Sequence, residues 1–146
     1  MENIIVSACL LGTACRYDGG SKPDDRVAAL LGKAHLIPVC AETMGGLPTP
    51  RIPAEIIGDR VIRRDGADVT AEYDRGANEV LRLAELYGCR YAILKERSPS
   101  CGKGKIYDGT FSGALADGNG ITASLLSSNG ITVFGESEVG ELEKLL

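Results

Sequence analysis

Asn3-Ile4-Ile5-Val6-Ser7-Ala8-Cys9-Leu10-Leu11-Gly12 opens on an aliphatic run that is continuous, not alternating. A strand with water on one side alternates apolar and polar residues. One without that break is covered on both faces, as in a parallel sheet between layers of helices. Leu36-Ile37-Pro38-Val39, Tyr91-Ala92-Ile93-Leu94 and Ile131-Thr132-Val133-Phe134 repeat the pattern. Helical periodicity fills the gaps between them. Across 70–87, Tyr73, Ala77, Val80, Leu81, Ala84 and Tyr87 recur at helical spacing, with Thr70 placed to cap the start and Gly88 where a left-handed C-terminal cap belongs. Shorter helices are expected over 24–32, 122–129 and 137–146, the last with Val139, Leu142, Leu145 and Leu146 on one side. Alternating strands and helices predict an α/β fold. It is read as one domain spanning 1–146, an open, mostly parallel, Rossmann-like sheet of about four strands with helices on both faces.

The stretch over 40–69 fits least well. Pro48, Pro50 and Pro53 argue against an early helix and make 45–51 an extended loop, and 60–63 reads as a small edge strand before the turn Arg64-Asp65-Gly66.

Composition narrows the function classes. At 146 residues the chain buries a core without disulfide or metal staples, and a net charge of −4 excludes a general affinity for nucleic acid or anionic membrane. No run approaches the roughly 18 apolar residues of a membrane span. Met1-Glu2-Asn3-Ile4 lacks the basic and apolar regions of a signal peptide, so the expected location is cytoplasmic. Nineteen Gly, about twice the usual ~7%, demand many tight turns, and two Phe with no Trp leave an aliphatic core.

Five Cys in a reducing compartment do not suggest a disulfide framework. Cys9 follows the first strand, Cys40 follows the second, and Cys101 lies in the loop after the third. In an open parallel sheet the carboxyl ends of the strands share a crevice, so these three thiols converge there. Cys89 precedes its strand and belongs to the opposite edge as a structural residue, while the spacing leaves Cys15 unplaced. Soft thiolates select zinc, copper(I) or iron–sulfur clusters. A structural zinc site wants four ligands, commonly in C-x-x-C pairs, and neither feature is present. Three Cys on a cluster that normally takes four would leave one iron open to substrate.

At these residues the chain resembles a known family. Val6-Ser7-Ala8-Cys9-Leu10-Leu11-Gly12, Cys15-Arg16-Tyr17-Asp18-Gly19, Cys40-Ala41-Glu42 with Gly45-Gly46-Leu47 and Pro50-Arg51, Ser98-Pro99-Ser100-Cys101-Gly102, and Ile106-Tyr107-Asp108-Gly109 resemble the bacterial thiouracil desulfidases in order and spacing, from about Asn3 to Phe134. The resemblance implies a [4Fe-4S] cluster held by Cys9, Cys40 and Cys101. It also implies an open iron that takes sulfur from a thiolated pyrimidine without net redox change, and catalytic roles for Glu42 and Ser98. Ala41 stands where the family motif has Pro, a change in loop stiffness more than in chemistry.

The residues support those roles on physical grounds. An open iron polarises a C=S bond, and the attacking water must lose a proton. In extended chain, the two-residue spacing of Cys40 and Glu42 puts both side chains on one side, the carboxylate beside the iron. Ser98, before Pro99, either bonds substrate or forms a turn. Gly102-Lys103-Gly104-Lys105 lacks the phosphate-loop pattern and reads as a solvated turn, and Gly118-Asn119-Gly120 has the loose form of an anion-binding helix start. Arg16 and Arg51 are read either as pyrimidine contacts or as surface ion pairs, and His35, the only His, as a core or surface residue. A cluster-free enzyme using Cys9 or Cys101 as nucleophile, and a non-catalytic metal or small-molecule binding module, are the competing readings.

Overall fold

In the computed structural model, which describes residues 1–146, the four aliphatic runs become one parallel sheet. The strands are β1 (Asn3–Ser7), β2 (His35–Val39), β3 (Ala54–Ile57), β4 (Arg60–Arg63), β5 (Tyr91–Leu94), β6 (Lys105–Tyr107), β7 (Leu115–Asp117) and β8 (Thr132–Gly135). The helices are α1 (Asp25–Ala28), α2 (Ala41–Met44), α3 (Thr70–Leu86), α4 (Ile121–Ser128) and α5 (Val139–Glu143), with 3₁₀ turns at Ala8–Leu11, Ala29–Gly32 and Glu136–Glu138. The main sheet runs β2-β1-β5-β8, every pair parallel. From β1 the chain passes to β2 on one side and then returns to β5 on the other, so the order switches between β1 and β5.

The continuous strands sort their side chains to two faces. Ile4, Val6 and Ile93 pack with Val27, Leu30, Val139 and Leu142 beneath α1 and α5. Ile5, Ala92 and Leu94 meet Val80, Ala84, Ala123 and Leu126 of α3 and α4 on the reverse. Both faces are thus covered, as the sequence pattern requires. No helix is long and apolar enough to cross a membrane.

Four local expectations need correction. Thr70 does not cap α3: Val69 holds that position, Asp68 Oδ1 accepts the Thr70 N–H at 2.9 Å, and the Thr70 hydroxyl accepts from Val61 N–H at 2.8 Å. It spends its oxygen on the neighbouring hairpin instead. The edge strand at Arg60–Arg63 pairs with β3 in a separate antiparallel hairpin, and β6 and β7 form another. At the carboxyl end α5 stops at Glu143, leaving Leu145 and Leu146 exposed.

The fourth correction shapes the site. A helix, α2, does form immediately after Cys40, because four residues fit before the prolines begin. It is held by direct backbone contact with α3. A Cβ on Gly45 would lie 2.0 Å from the Glu72 carbonyl oxygen, and one on Gly76 would lie 1.8 Å from that of Ala41. An interior glycine costs a helix roughly 1 kcal/mol relative to Ala. Gly76 accepts that cost in α3 because any side chain would push α2 away.

Candidate active site

A cavity of about 800 Å³ opens at the carboxyl edge of the main sheet, where the strand order switches. Cys9 enters its wall from the 3₁₀ turn after β1, Cys40 from the cap position of α2, and Cys101 from the loop after β5. Cys15, unplaced by sequence, is a fourth thiol in that wall, and the Cys40 thiol donates to its carbonyl at 3.8 Å. All five cysteines are free, and Cys89 lies at the far edge among Ile5, Ala84 and Val133.

Burial disfavours charge on these sulfurs. Burial, then Cys101, Cys15 and Cys40 in turn, push the Cys9 thiol up to about 12, against a downward pull from the Lys95 ammonium. Burial and the adjacent Cys40 push Cys15 up to about 12. Burial also raises Cys101, to about 11, although the Ser7 hydroxyl stabilises its thiolate. Sulfurs that feel one another in this way suit a cation that several thiolates share. Nowhere do three His, Cys, Asp or Glu side chains close around one point as they would for a single ion.

Glu42 reaches the same cavity, but not as extended chain. It sits in the first turn of α2. Arg51 Nε and Nη2 both approach its Oε2 at 2.8 Å, and the Tyr73 hydroxyl donates to that oxygen at 3.2 Å. Burial, then the negative Glu42, raise the Tyr73 phenol far above its ordinary value, so it remains a donor. Arg51 is thus a buried ion pair and not a surface one, since its side chain is only 6% exposed and it also donates to Pro48 O and Thr49 Oγ1. Arg16 lines the cavity beside Tyr17, its guanidinium 5.6 Å from the ring centre.

Ser98 is a turn former that still faces the cavity. Its Oγ accepts from Cys101 N–H at 2.7 Å and its carbonyl from Gly102 N–H at 2.9 Å, which leaves the hydroxyl proton available. Helix α4 continues this lock. Ile121 N–H donates to Pro99 O, and Thr122 and Ala123 N–H to Ser100 O, at 2.8, 2.8 and 3.2 Å. The helix start after Gly118-Asn119-Gly120 is therefore filled by carbonyls, and the expected anion site is absent. Lys103 and Lys105 turn outward to Glu138 and Asp117, and His35 is exposed at the start of β2.

A family model described as 2-thiouracil desulfurase matches residues 4–138. The chain belongs to that family. It is 50% identical to a solved structure named [4Fe-4S]-dependent thiouracil desulfidase TudS, covering 99% of this chain and 97% of that one with a TM-score of 0.92. It is also 40% identical over 149 residues to the uncharacterized protein YbbK of Bacillus subtilis (strain 168), covering 95% of this chain and 99% of that protein.

For a 2-thiouracil desulfurase family member, sequence reasoning found the cavity's thiols and its carboxylate but missed three neighbours. Ser7, 3% exposed, accepts the Lys95 N–H at 2.9 Å and so ties β1 to β5 at the switch. Lys95 supplies the cation that pulls the Cys9 thiol down and pairs with Glu136 at 2.7 Å. Tyr73 appeared only as one member of a helical stripe. Of these, only Lys95 carried a sequence signal, a charge at the carboxyl end of a buried strand.

Proposed function

We propose that residues 1–146 form one functional unit, an iron–sulfur-dependent desulfidase that converts a small thiolated pyrimidine of the 2-thiouracil class and water to the oxo base and hydrogen sulfide. The observation that carries this reading is the convergence of three free thiols and the Glu42 carboxylate on one cavity. It occurs in a chain half identical to a [4Fe-4S]-dependent thiouracil desulfidase along its whole length. Cys9, Cys40 and Cys101 are the residues that would hold the cluster. When bound, it supplies an iron with no protein ligand, a Lewis acid for the substrate sulfur.

The remaining work falls to the chain. Glu42 Oε1 takes the proton of the attacking water and later returns it to the leaving sulfur. Ser98 directs its hydroxyl proton at the substrate or the water, while its oxygen keeps the Cys101 turn closed. The cavity size lies within the usual range for small-molecule sites. A net negative chain and the Lys103 and Lys105 pairs offer no basic face for nucleic acid or membrane. Five free cysteines fit a reducing cytoplasm.

A cluster-free thiol nucleophile needs a lowered thiol pKa. Burial instead raises Cys9 and Cys101, which speaks against that nucleophile. Anaerobic purification tests it. A brown protein with about four iron and four sulfide per chain, as [4Fe-4S] requires, is the expected result, and a colourless protein with full activity would remove the cluster. Glu42→Gln then separates binding from chemistry: iron is retained and turnover falls by ~10² to 10⁴.

A further inference from the structure

The hydrogen bonds to Glu42 are lopsided. An arginine paired with a carboxylate commonly spans both oxygens. Here Nε and Nη2 of Arg51 converge on Oε2, the Tyr73 hydroxyl joins them there, and Oε1 receives no protein donor. Both partners are fixed. Tyr73, 3% exposed, packs with Ala54, Val61 and Val69 under the β3–β4 hairpin. The Gly45 and Gly76 contacts bring α2 within reach of it.

We infer that Arg51 and Tyr73 are positioning residues for desulfuration, holding Glu42 by Oε2 so that Oε1 alone faces the water and the substrate. The inference rests on Glu42 acting as the base. Two hydrogen bonds on Oε2, with the Nη2 ion-pair contact beside them, draw the carboxylate charge toward that oxygen and restrict its rotation. A freely turning carboxylate would present either oxygen at varying distance, and misplacement of about 1 Å costs as much as ~10²-fold in rate. Removing Arg51 outright would strand a half-buried charge and disturb folding. Tyr73→Phe removes one donor and keeps the ring.

The test is a double-mutant cycle on anaerobically loaded holoenzyme, with 2-thiouracil as substrate and iron counted in every sample. Tyr73→Phe should lower kcat at least about tenfold, as expected for a lost hydrogen bond to a charged group, with KM and iron content unchanged. In the Glu42→Gln background the same substitution should add no further loss, because it acts only through the carboxylate. Arg51→Lys, which offers one nitrogen in place of two, should repeat the pattern. Unchanged kcat in both single variants overturns the proposal. So does an equal fold-loss with and without Glu42, the signature of a merely structural role. Full turnover in Glu42→Gln alone would sink the base assignment first, and that single variant distinguishes the two failures.

Discussion

Cys9 and Cys89 are equally buried, each 7% exposed, and burial is the leading cause that raises both thiols. They sit at opposite ends of the same sheet. At the amino-terminal edge Cys89 is surrounded by Ile5, Val80 and Ile131, and no second thiol is near. At the carboxyl-terminal edge Cys9 feels Cys101, Cys15 and Cys40, with Lys95 close by. Burial therefore does not distinguish a structural cysteine from a candidate ligand. Company does, and strand direction supplies it, since a parallel sheet sends all its carboxyl ends, and the loops that follow, to one side.

The largest test of this contrast replaces Cys9, Cys40 or Cys101 singly with Ser. Each variant should lose iron and turnover together while the fold, read by circular dichroism, persists. Cys15→Ala should keep its iron, although Cys15 shares the same wall. A Cys15 variant empty of iron would make the site four-thiol and close the position reserved for substrate.

Next in size is Gly76→Ala, which attacks the support of the site without touching a thiol. Helix preference alone would make it stabilising by about 1 kcal/mol, but the new Cβ meets the Ala41 carbonyl. Overpacking of this kind costs about 3 kcal/mol at the upper end of its usual range. The melting temperature should therefore drop by several degrees and turnover should fall with it. A rise in melting temperature would show that α2 moves aside at no cost.

A smaller effect concerns the cluster-free protein in alkali. In the folded chain, burial and neighbouring thiols push Cys9 and Cys15 up to about 12, and burial pushes Cys101 up to about 11, from 9.0 when exposed. The unfolded chain releases these protons first. Stability is then fully present below pH 9 and lost as pH rises toward the folded values. The melting temperature of cluster-free Cys9→Ala should decline less steeply between pH 9 and 11 than that of the wild-type chain, and identical slopes would contradict the assigned burial.

The smallest is Cys89→Ser. A hydroxyl in an apolar site costs about 1 kcal/mol, or a melting shift of about 3 °C, with iron and activity unchanged. Loss of iron here, with folding intact, would break the comparison outright.

Much of this was legible in sequence because it rests on periodicity. Continuous aliphatic runs gave all four sheet strands to within a residue or two, and their direction placed Cys9, Cys40 and Cys101 on one edge. The failures share a different cause. Thr70 looked like a cap because its residue type permits one, yet a tertiary partner, Val61, claimed its hydroxyl. Helix α2 was hidden because four residues carry no period, and a backbone contact through Gly45 and Gly76 stabilises it. Arg51 and Tyr73 lie 9 and 31 positions from Glu42, and only folding shows that all three meet. Local rules reveal elements. Positioning networks arise from the packing between them.

Because three amides of α4 are bound to the carbonyls of Pro99 and Ser100, the turn carrying Cys101 is held by the helix from behind. Its ordering entropy, roughly 1–2 kcal/mol per residue, is lost as the chain folds. A cluster delivered to the finished protein meets a mould already set on this side. Hydrogen exchange at Ile121, Thr122 and Ala123 should be as slow in the metal-free protein as in the loaded one, and repeated loss and repair of the cluster need not pass through unfolding of that wall.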